Sequence, residues 1–250
     1  MFRHKGKGRT FIHNRRLAAI LSFTAGIVNI IGVLYIQTLT TNVTGHFAYF
    51  AEEIVNNRYL NAFTFLLYIL AFLSGAFVSS ILIELSSKKN PLIAHTVPMG
   101  LEIIILSLVG LGANKLAIEG FNIQTIAFML LFAMGLQNAL VTNVSNSLVR
   151  TTHLTGLFTD LGIELSQLFF YRKENELQKL FRSIKLRLII IIFFFSGCIL
   201  GGFTFNSYGI KSLLIASLCL IIALLYDNIR YRFYYMKRKI FVSKPIVKHD

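Results

Sequence analysis

The amino-acid sequence predicts an all-α integral membrane protein with six transmembrane helices. Three observations support this prediction: the composition is strongly apolar, six apolar stretches have spanning length, and the polar motifs occur in two copies. The 250 residues are 55% hydrophobic and 14% charged, with a mean hydropathy of +0.65. Soluble domains of ordinary composition are about one quarter charged and less apolar. The composition therefore places most of the chain within a bilayer.

A helix that crosses the hydrocarbon core needs about 20 mostly apolar residues, because the core is about 30 Å thick and each residue rises about 1.5 Å. Backbone groups in lipid must be satisfied within the segment, which favours helices over strands. Six stretches meet this requirement: 17–36, 60–82, 92–111, 123–144, 186–205 and 213–226. They define a transmembrane domain over 17–227 between two basic tails, 1–16 and 228–250.

The net charge of +14 is distributed unevenly along the chain. If the N-terminus is cytoplasmic, all of the 25 lysines and arginines fall in cytoplasmic segments except Arg58, Lys115 and Lys211. This asymmetry follows the positive-inside rule, so we expect a bacterial cytoplasmic membrane protein with both termini in the cytoplasm. The rule accounts for the charge without a nucleic-acid partner, and we expect the basic tails to contact anionic lipid headgroups.

A polar motif with threonine and glycine occurs twice, as TTNVTGHF after the first apolar stretch and as TTHLTGLF after the fourth. The motifs and their flanks match at an offset of 111 (Thr40, Thr41, Val43, Thr44, Gly45, Phe47 and Glu53 with Thr151, Thr152, Leu154, Thr155, Gly156, Phe158 and Glu164). Upstream residues match at an offset of 109 (Phe23, Gly26 and Asn29 with Phe132, Gly135 and Asn138), and downstream residues at 122 (Ser74, Gly75 and Ser79 with Ser196, Gly197 and Gly201).

Three matches in the same order indicate one duplicated unit. Each unit contains three spans, and because three is odd, the second copy must enter the membrane from the opposite side. We therefore predict two inverted three-helix repeats, about 17–112 and about 123–227. Each has an extra amphipathic or re-entrant helix after its first span.

The repeated polar residues are candidates for a solute-binding site, because many secondary transporters bind solutes between inverted repeats. Their hydroxyl and amide groups suit a neutral or anionic solute. A helix is expected to begin near each threonine-glycine pair, and its free backbone N–H groups would attract an anion. The candidate binding residues are Asn29, Thr40, Thr41, Thr44, Gly45, Gln137, Asn138, Thr151, Thr152, Thr155 and Gly156.

Structural roles are the alternative for the same residues. A threonine or Asn42 can cap an interfacial helix that binds nothing, and Asn29 and Asn138 can form interhelical hydrogen bonds worth about 0.6–2 kcal/mol. Glu102 is the deepest acid in the predicted spans and is a candidate proton carrier, because carboxylates within a membrane are costly and usually functional. Small residues spaced four apart favour close helix packing; these are Gly75, Ser79, Gly197 and Gly201.

The sequence lacks the short motifs of common enzyme classes, among them HExxH, GxSxG and the glycine-rich phosphate loops. Its six histidines are scattered, and no group of residues has metal-ligand spacing. We therefore expect no enzymatic activity, no metal site and no cofactor.

The run over 134–165, together with Ala25-Gly26 and Thr44-Gly45, resembles the YoaK-like family of bacterial transmembrane proteins of unknown function. The resemblance covers most of the chain apart from the basic tails and implies a six-helix protein of the cytoplasmic membrane. It implies no activity, because the family has none assigned. The family pattern commonly has an acidic residue where this chain has Asn29 and an asparagine where it has His46.

These observations favour a small secondary transporter or exporter of a small polar or anionic solute. The alternative is a membrane scaffold or assembly factor in which the threonines only cap helices and the tails hold partners. Because six helices enclose little volume, we also consider a homodimer.

Overall fold

A computed structural model describes residues 11–90, 94–118 and 123–242; at 113–118 and 230–242 the description covers the backbone alone. These residues contain eight α-helices, one 3-10 helix and no strand, so the all-α prediction is confirmed. In chain order the helices are α1 (Phe11–Ile36), α2 (Val43–Val55), α3 (Tyr59–Lys89), α4 (Thr96–Ile118), α5 (Ile123–Ser145), α6 (Leu154–Gln167), α7 (Glu174–Tyr208), the 3-10 helix (Gly209–Ser212) and α8 (Leu213–Val242).

Several helices have the length and apolar character needed to cross a bilayer, as expected for an all-α membrane protein. Among the described residues, four helical stretches meet both criteria, and Thr96–Gly112 is apolar but shorter. The four are Phe11–Ile36, Tyr59–Lys89, Ile123–Ser145 and Glu174–Ile229. The last contains α7, the 3-10 helix and part of α8, and therefore two of the predicted spans. The start of the predicted third span, at residue 92, lies outside the described residues.

Three helices are longer than the apolar stretches that predicted them. α1 begins at Phe11 rather than at residue 17, α7 begins at Glu174 rather than at residue 186, and α8 continues to Val242. The apolar criterion detects only the part of a helix that suits the hydrocarbon core. A helix can continue beyond that core because its backbone hydrogen bonds are internal and its polar side chains are hydrated.

Two helix crossings bring backbones into direct contact at glycine. α1 crosses α7 at Gly26 and Gly197, and α3 crosses α5 at Gly75 and Gly135. A Cβ atom added at any of these four glycines would lie 2.1 Å from a backbone carbonyl oxygen of the facing helix. These oxygens belong to the residues three positions before the facing glycines, which are Phe194, Phe23, Phe132 and Phe72. Only glycine permits this approach, which is typical of closely packed membrane helices.

The two crossings join helices that run in the same direction. Tyr35 and Phe205 both lie later in their helices than the crossing glycines, and their ring centroids are 6.4 Å apart. Tyr68 and Phe128 both lie earlier than the glycines of the other crossing, with centroids 5.2 Å apart. Each pair is displaced the same way along both helices, so α1 is parallel to α7 and α3 is parallel to α5.

α4 and α8 pack in opposite directions. His95, directly before α4, has Nε2 3.6 Å from Oδ2 of Asp227 in the middle of α8. Gly110, late in α4, faces the side chains of Leu213 and Leu214 at the start of α8. The start of each helix therefore lies beside a later part of the other.

One end of the bundle, which we call the first face, contains the start of α1 and the middle of α8 around Tyr226 and Asp227. Arg16 donates from Nη1 to the hydroxyl of Tyr226 at 2.9 Å, and its guanidinium lies 5.7 Å from the ring centroid. His95 lies at the same end, beside Asp227. The opposite end, the second face, contains the end of α1, the end of α7 and the 3-10 helix.

The end of α3 fixes the direction of the remaining long helices. α3 ends at Lys89, a few residues before His95, and so runs from the second face to the first. Its parallel partner α5 does the same, whereas α1 runs from the first face to the second. α1 and α5 therefore run in opposite directions.

α1 and α5 supply much of the buried core, whereas α3 and α7 lie towards the outside. Large apolar side chains are exposed along both outer helices, among them Leu73 and Phe77 on α3 and Phe195 and Phe203 on α7. Exposed apolar surface of this extent suits lipid rather than water.

The glycine crossings predict a steric effect on stability. Gly26→Ala and Gly75→Ala each require two helices to separate, so we expect each to lower stability by about 1–3 kcal/mol, the usual cost of overpacking. The measurement is thermal unfolding of the purified protein in detergent. Gly100→Ala in α4 is the matched control, because no atom lies within 4 Å of the added Cβ. Equal melting temperatures for the crossing and control variants would contradict the packing described above.

Candidate functional site

The chain turns back alongside its own helix after both α1 and α5. Gln37 (φ 53°) follows α1, and Asn146 (φ 52°) and Ser147 (φ 63°) follow α5, all in the left-handed region. The turns are closed by backbone hydrogen bonds from Thr38 N–H to the carbonyl of Gly32 at 3.2 Å and from Ser147 N–H to that of Thr142 at 2.8 Å. A residue other than glycine in the left-handed region costs about 1–3 kcal/mol and persists only where the surrounding structure holds it in place.

Each returning segment binds the helix it has just left through a threonine. Thr41 donates from Oγ1 to Oδ1 of Asn29 at 2.9 Å, and Thr152 donates from Oγ1 to Oδ1 of Asn138 at 2.7 Å. Each asparagine lies seven residues before the last residue of its helix, which is about 10 Å along the axis. The threonine motifs therefore reach about 10 Å inward from the helix ends.

The threonine before each of these donors is fully buried. Thr40 and Thr151 are 0% exposed, and Oγ1 of each has no hydrogen-bond partner within the part of the chain that the structure describes. An unpaired buried hydroxyl costs about 1–3 kcal/mol, so it is unusual for one to occur at two matched positions. We call Asn29, Thr40 and Thr41 the first Thr-Asn site, and Asn138, Thr151 and Thr152 the second Thr-Asn site.

The two sites differ in the hydrogen bonding of the asparagine side-chain nitrogen. Nδ2 of Asn138 donates to the carbonyl of Met134 at 3.0 Å, as is common for a polar side chain in a helix. Nδ2 of Asn29 has no acceptor among the described residues, and the side chain is half-buried. The first site therefore offers a free amide donor, an unpaired hydroxyl and the lone pairs of Thr41.

Thr44 and Thr155 lie on the first turns of α2 and α6, and both are exposed. Asn42 caps α2, because its Oδ1 accepts from the N–H of Gly45 at 3.1 Å. His153 precedes α6 without a side-chain cap bond. The structure therefore places a helix start at each motif, but does not place these two threonines with the buried ones.

Gly45 and Gly156 make room for the residue three positions earlier. A Cβ atom at Gly45 would lie 2.9 Å from Nδ2 of Asn42, and one at Gly156 would lie 2.5 Å from Cε1 of His153. The space beside each glycine is therefore filled by the chain itself.

Gln137 holds the two central helices together. It is buried, and its Nε2 donates to the carbonyl of Leu21 at 2.6 Å, which connects α5 to α1. Its Oε1 has no partner among the described residues. Gln137 thus has a structural contact that its proposed binding role does not explain.

The residues assigned to packing lie at helix contacts. Gly75 and Gly197 form the crossings described above, and a Cβ at Gly201 would lie 2.7 Å from a side-chain carbon of Ile30. Ser79 is fully buried, and its hydroxyl has no partner within the described residues. Glu102, in α4, is also fully buried.

Carboxylates at matched positions bind each amphipathic helix to the helix that follows it. Glu164 on α6 accepts from Nε and Nη2 of Arg187 on α7, both at 2.8 Å, and from Oγ of Ser183 at 2.6 Å. Glu53 on α2 pairs with Nε of Arg58 at 2.8 Å and accepts from Asn61 on α3 at 3.2 Å. Sequence reasoning missed these contacts, although Asn61 and Ser183 have the same offset of 122 as the downstream match.

His46 occupies the position that matches the buried Leu157 of the second motif. Its Nε2 lies 2.8 Å from the carbonyl oxygen of Leu39, and its ring stacks on Phe65 with centroids 6.2 Å apart. Burial lowers the pKa of His46, and the hydrogen bond to the backbone offsets this only in part. The His46 ring is therefore neutral and donates to the carbonyl of Leu39, while it stacks on Phe65 of α3. These two contacts fix the returning segment against α3.

The comparisons with known proteins identify relatives without an assigned activity. A family model described as "Protein of unknown function (DUF1275)" matches residues 17–226. The chain is also similar to the UPF0700 transmembrane protein YoaK of Bacillus subtilis (strain 168), with 24% identity over 189 residues that cover 75% of this chain and 82% of that protein. The resemblance seen in the sequence is thus confirmed. No solved structure matches the chain at a significant level.

The paired Thr-Asn bonds predict equal coupling energies at the two sites. In a double-mutant cycle, Asn29→Leu with Thr41→Val and Asn138→Leu with Thr152→Val should each give a coupling energy of about 0.6–2 kcal/mol. Each pair shares one side-chain hydrogen bond, and this is the range for such bonds between membrane helices. The measurement is the free energy of unfolding in detergent or bicelles. The mismatched pair Asn29→Leu with Thr152→Val is the control, and we expect additivity there. Additivity in the matched pairs as well would show that the bonds contribute nothing.

Proposed function

This chain belongs to the DUF1275 family of proteins of unknown function, and we propose that it is a small secondary transporter or exporter of a small polar or anionic solute. The observation that carries the proposal is the pair of Thr-Asn sites. Each combines a bonded threonine and asparagine with a fully buried, unpaired threonine hydroxyl. Unpaired polar groups inside a membrane protein are typical of a substrate or ion path.

The proposal includes six spans arranged as two inverted repeats, about 17–112 and about 123–227. The antiparallel course of α1 and α5 supports this arrangement, because these are the first helices of the two repeats. The glycine crossings support it too, since α1 crosses α7 as α5 crosses α3. A two-fold exchange of the repeats converts each crossing into the other.

The two Thr-Asn sites would then lie at different depths. Gln137 contacts Leu21, so its neighbour Asn138 is near the level of Leu21 on α1. Asn29 is eight residues further along α1, which is about 12 Å along the axis. One site is therefore closer to the first face and the other closer to the second. Inverted-repeat transporters expose polar groups between their repeats to each side of the membrane in turn.

The chemistry of the sites favours a small polar or anionic solute. Hydroxyl and amide groups donate and accept hydrogen bonds without carrying charge. The starts of α2 and α6 lie three residues beyond the buried threonines, and the N–H groups of a first helical turn favour a negative group. A cation would find no carboxylate in either site.

The proposed location is the bacterial cytoplasmic membrane with the first face in the cytoplasm. Basic residues near that face include Arg16, Lys88 and Lys89, whereas Arg58 and Lys211 lie near the second face. This distribution supports the assignment through the positive-inside rule. The basic tails would contact anionic headgroups; their side chains before residue 11 and after residue 229 lie outside the described residues. The proposal involves no enzymatic step and is compatible with a homodimer.

A scaffold or assembly factor is the second candidate, and the cap formed by Asn42 favours it. In a scaffold the threonine motifs only start helices, and the interior stays closed to both sides of the membrane. The two candidates therefore differ in whether water-soluble reagents reach the Thr-Asn sites.

Two-sided cysteine labelling tests the transport proposal. Thr41→Cys and Thr152→Cys are made separately in a background with Cys198→Ser and Cys219→Ala, and a membrane-impermeant maleimide is applied to intact cells and to inverted vesicles. We expect each site to react from both sides, because alternating access opens it to each face in turn. Asn56→Cys and Lys88→Cys, both at exposed positions near opposite faces, calibrate the sidedness.

Labelling of each site from one side only, with opposite sides for the two, would support the inverted repeats but contradict transport. No labelling of either site, while both calibration positions react, would favour the scaffold. Thr44→Cys and Thr155→Cys in the same background test whether the exposed threonines lie on the same path.

A further inference from the structure

Glu102 lies near the middle of the membrane domain. It is seven residues beyond His95, which marks the first face, and eight residues before Gly110, which faces the start of α8 at the second face. These separations are about 10 Å and about 12 Å along α4. Glu102 is 0% exposed, and neither carboxylate oxygen has a hydrogen-bond partner among the described residues.

No positive charge lies at this depth within the described side chains. α4 packs against α5, α8, α3 and the 3-10 helix, and α5 contains no ionisable residue. Among the side chains that the structure describes, the ionisable groups on the other elements are Tyr59, Tyr68, Glu84, Lys88 and Lys89 on α3, His95 before α4, Lys211 in the 3-10 helix, and Cys219, Tyr226 and Asp227 on α8. The side chains of Lys115 and of 230–242 lie outside the described residues. Glu102 forms no ion pair with any other described residue.

An ionised carboxylate is strongly disfavoured in such surroundings, because nothing replaces the water that it loses. The neutral acid is tolerated, although its O–H and C=O groups are still unpaired. A metal cation is a poor occupant, because the described residues contain no group of three or more His, Cys, Asp or Glu side chains that could hold one. The chemistry therefore points to a proton on Glu102 in this conformation.

We infer that Glu102 is a proton-binding site that couples the proposed transport to proton movement; this inference rests on the proposed function. In the conformation described, the carboxyl group holds its proton. In a conformation that admits water to α4, the O–H bond breaks, the proton passes to water, and the carboxylate remains. Return to the closed conformation requires a proton again, because the bare carboxylate is excluded from the dry core. Each cycle then moves one proton at Glu102.

The position of Glu102 fits this role better than a purely structural one. A structural carboxyl group would gain stability from hydrogen bonds, and this one makes none with the described residues. Its depth also places it between the two Thr-Asn sites, which lie towards opposite faces. A single proton site at mid-depth can be reached from both faces in turn.

Infrared difference spectroscopy tests the inference without any solute. The full-length protein in lipid nanodiscs is titrated from about pH 5 to about pH 10, and the C=O band of neutral carboxylic acid is followed. We expect a band that persists at neutral pH, where an exposed glutamic acid has ionised, and that is lost at alkaline pH. Glu102→Gln should remove this band, and Glu102→Asp should shift it. Glu84→Gln is the matched control, because the same change is made at an exposed position of α3.

Two results would overturn the inference. If the band is the same in wild type and Glu102→Gln, Glu102 holds no proton. If the band disappears in Glu102→Gln but does not titrate in wild type, the proton is fixed and cannot be coupled to transport. Retention of wild-type melting by Glu102→Asp shows that the domain folds. The infrared measurement does not require transport. If Glu102 titrates while the Thr-Asn sites react from one side only, proton binding stands although the transport proposal has failed.

Discussion

Backbone contact at the two glycine crossings is the constraint on which the rest of the structure depends. Lipid is as apolar as the helix surfaces, so the hydrophobic effect does not drive spanning helices together, and close packing must do so. The missing side chains at Gly26, Gly197, Gly75 and Gly135 allow this packing. With those helices in place, the first helix of each proposed repeat is fixed against the second long helix of the other.

The polar sites lie on α1 and α5, one helix from each crossing. The segments after α1 and α5 turn back onto the helices that they have just left, and Thr41 and Thr152 bond them there. The ion pairs that attach each amphipathic helix to the following helix differ. Glu164 forms a bidentate ion pair with Arg187, whereas Glu53 pairs with Arg58 through a single nitrogen. The two sites therefore have similar inner bonds and different outer ion pairs.

Buried polar groups without partners distinguish this interior from a packed hydrophobic core. Thr40, Thr151 and Glu102 all lack hydrogen-bond partners among the described residues. Native proteins satisfy nearly all such groups, and exceptions cluster where the structure has a function beyond stability. The membership of the DUF1275 family supplies no activity, so the functional argument depends on these groups and on their matched positions.

The sequence by itself determined the class of the protein, its apolar stretches and the residues that recur, because apolar length and repeated spacing are local properties of the chain. It missed the helix ends, the ion pair of Glu164 with Arg187, and the role of Gly26 and Gly135 at the crossings. It also treated Thr41 and Thr44 as equivalent. Only the tertiary structure separated them: Thr41 is half-buried and bonds to Asn29 on α1, whereas Thr44 is exposed on the first turn of α2. The reason is the turn at Gln37, which lays the segment before α2 back against α1.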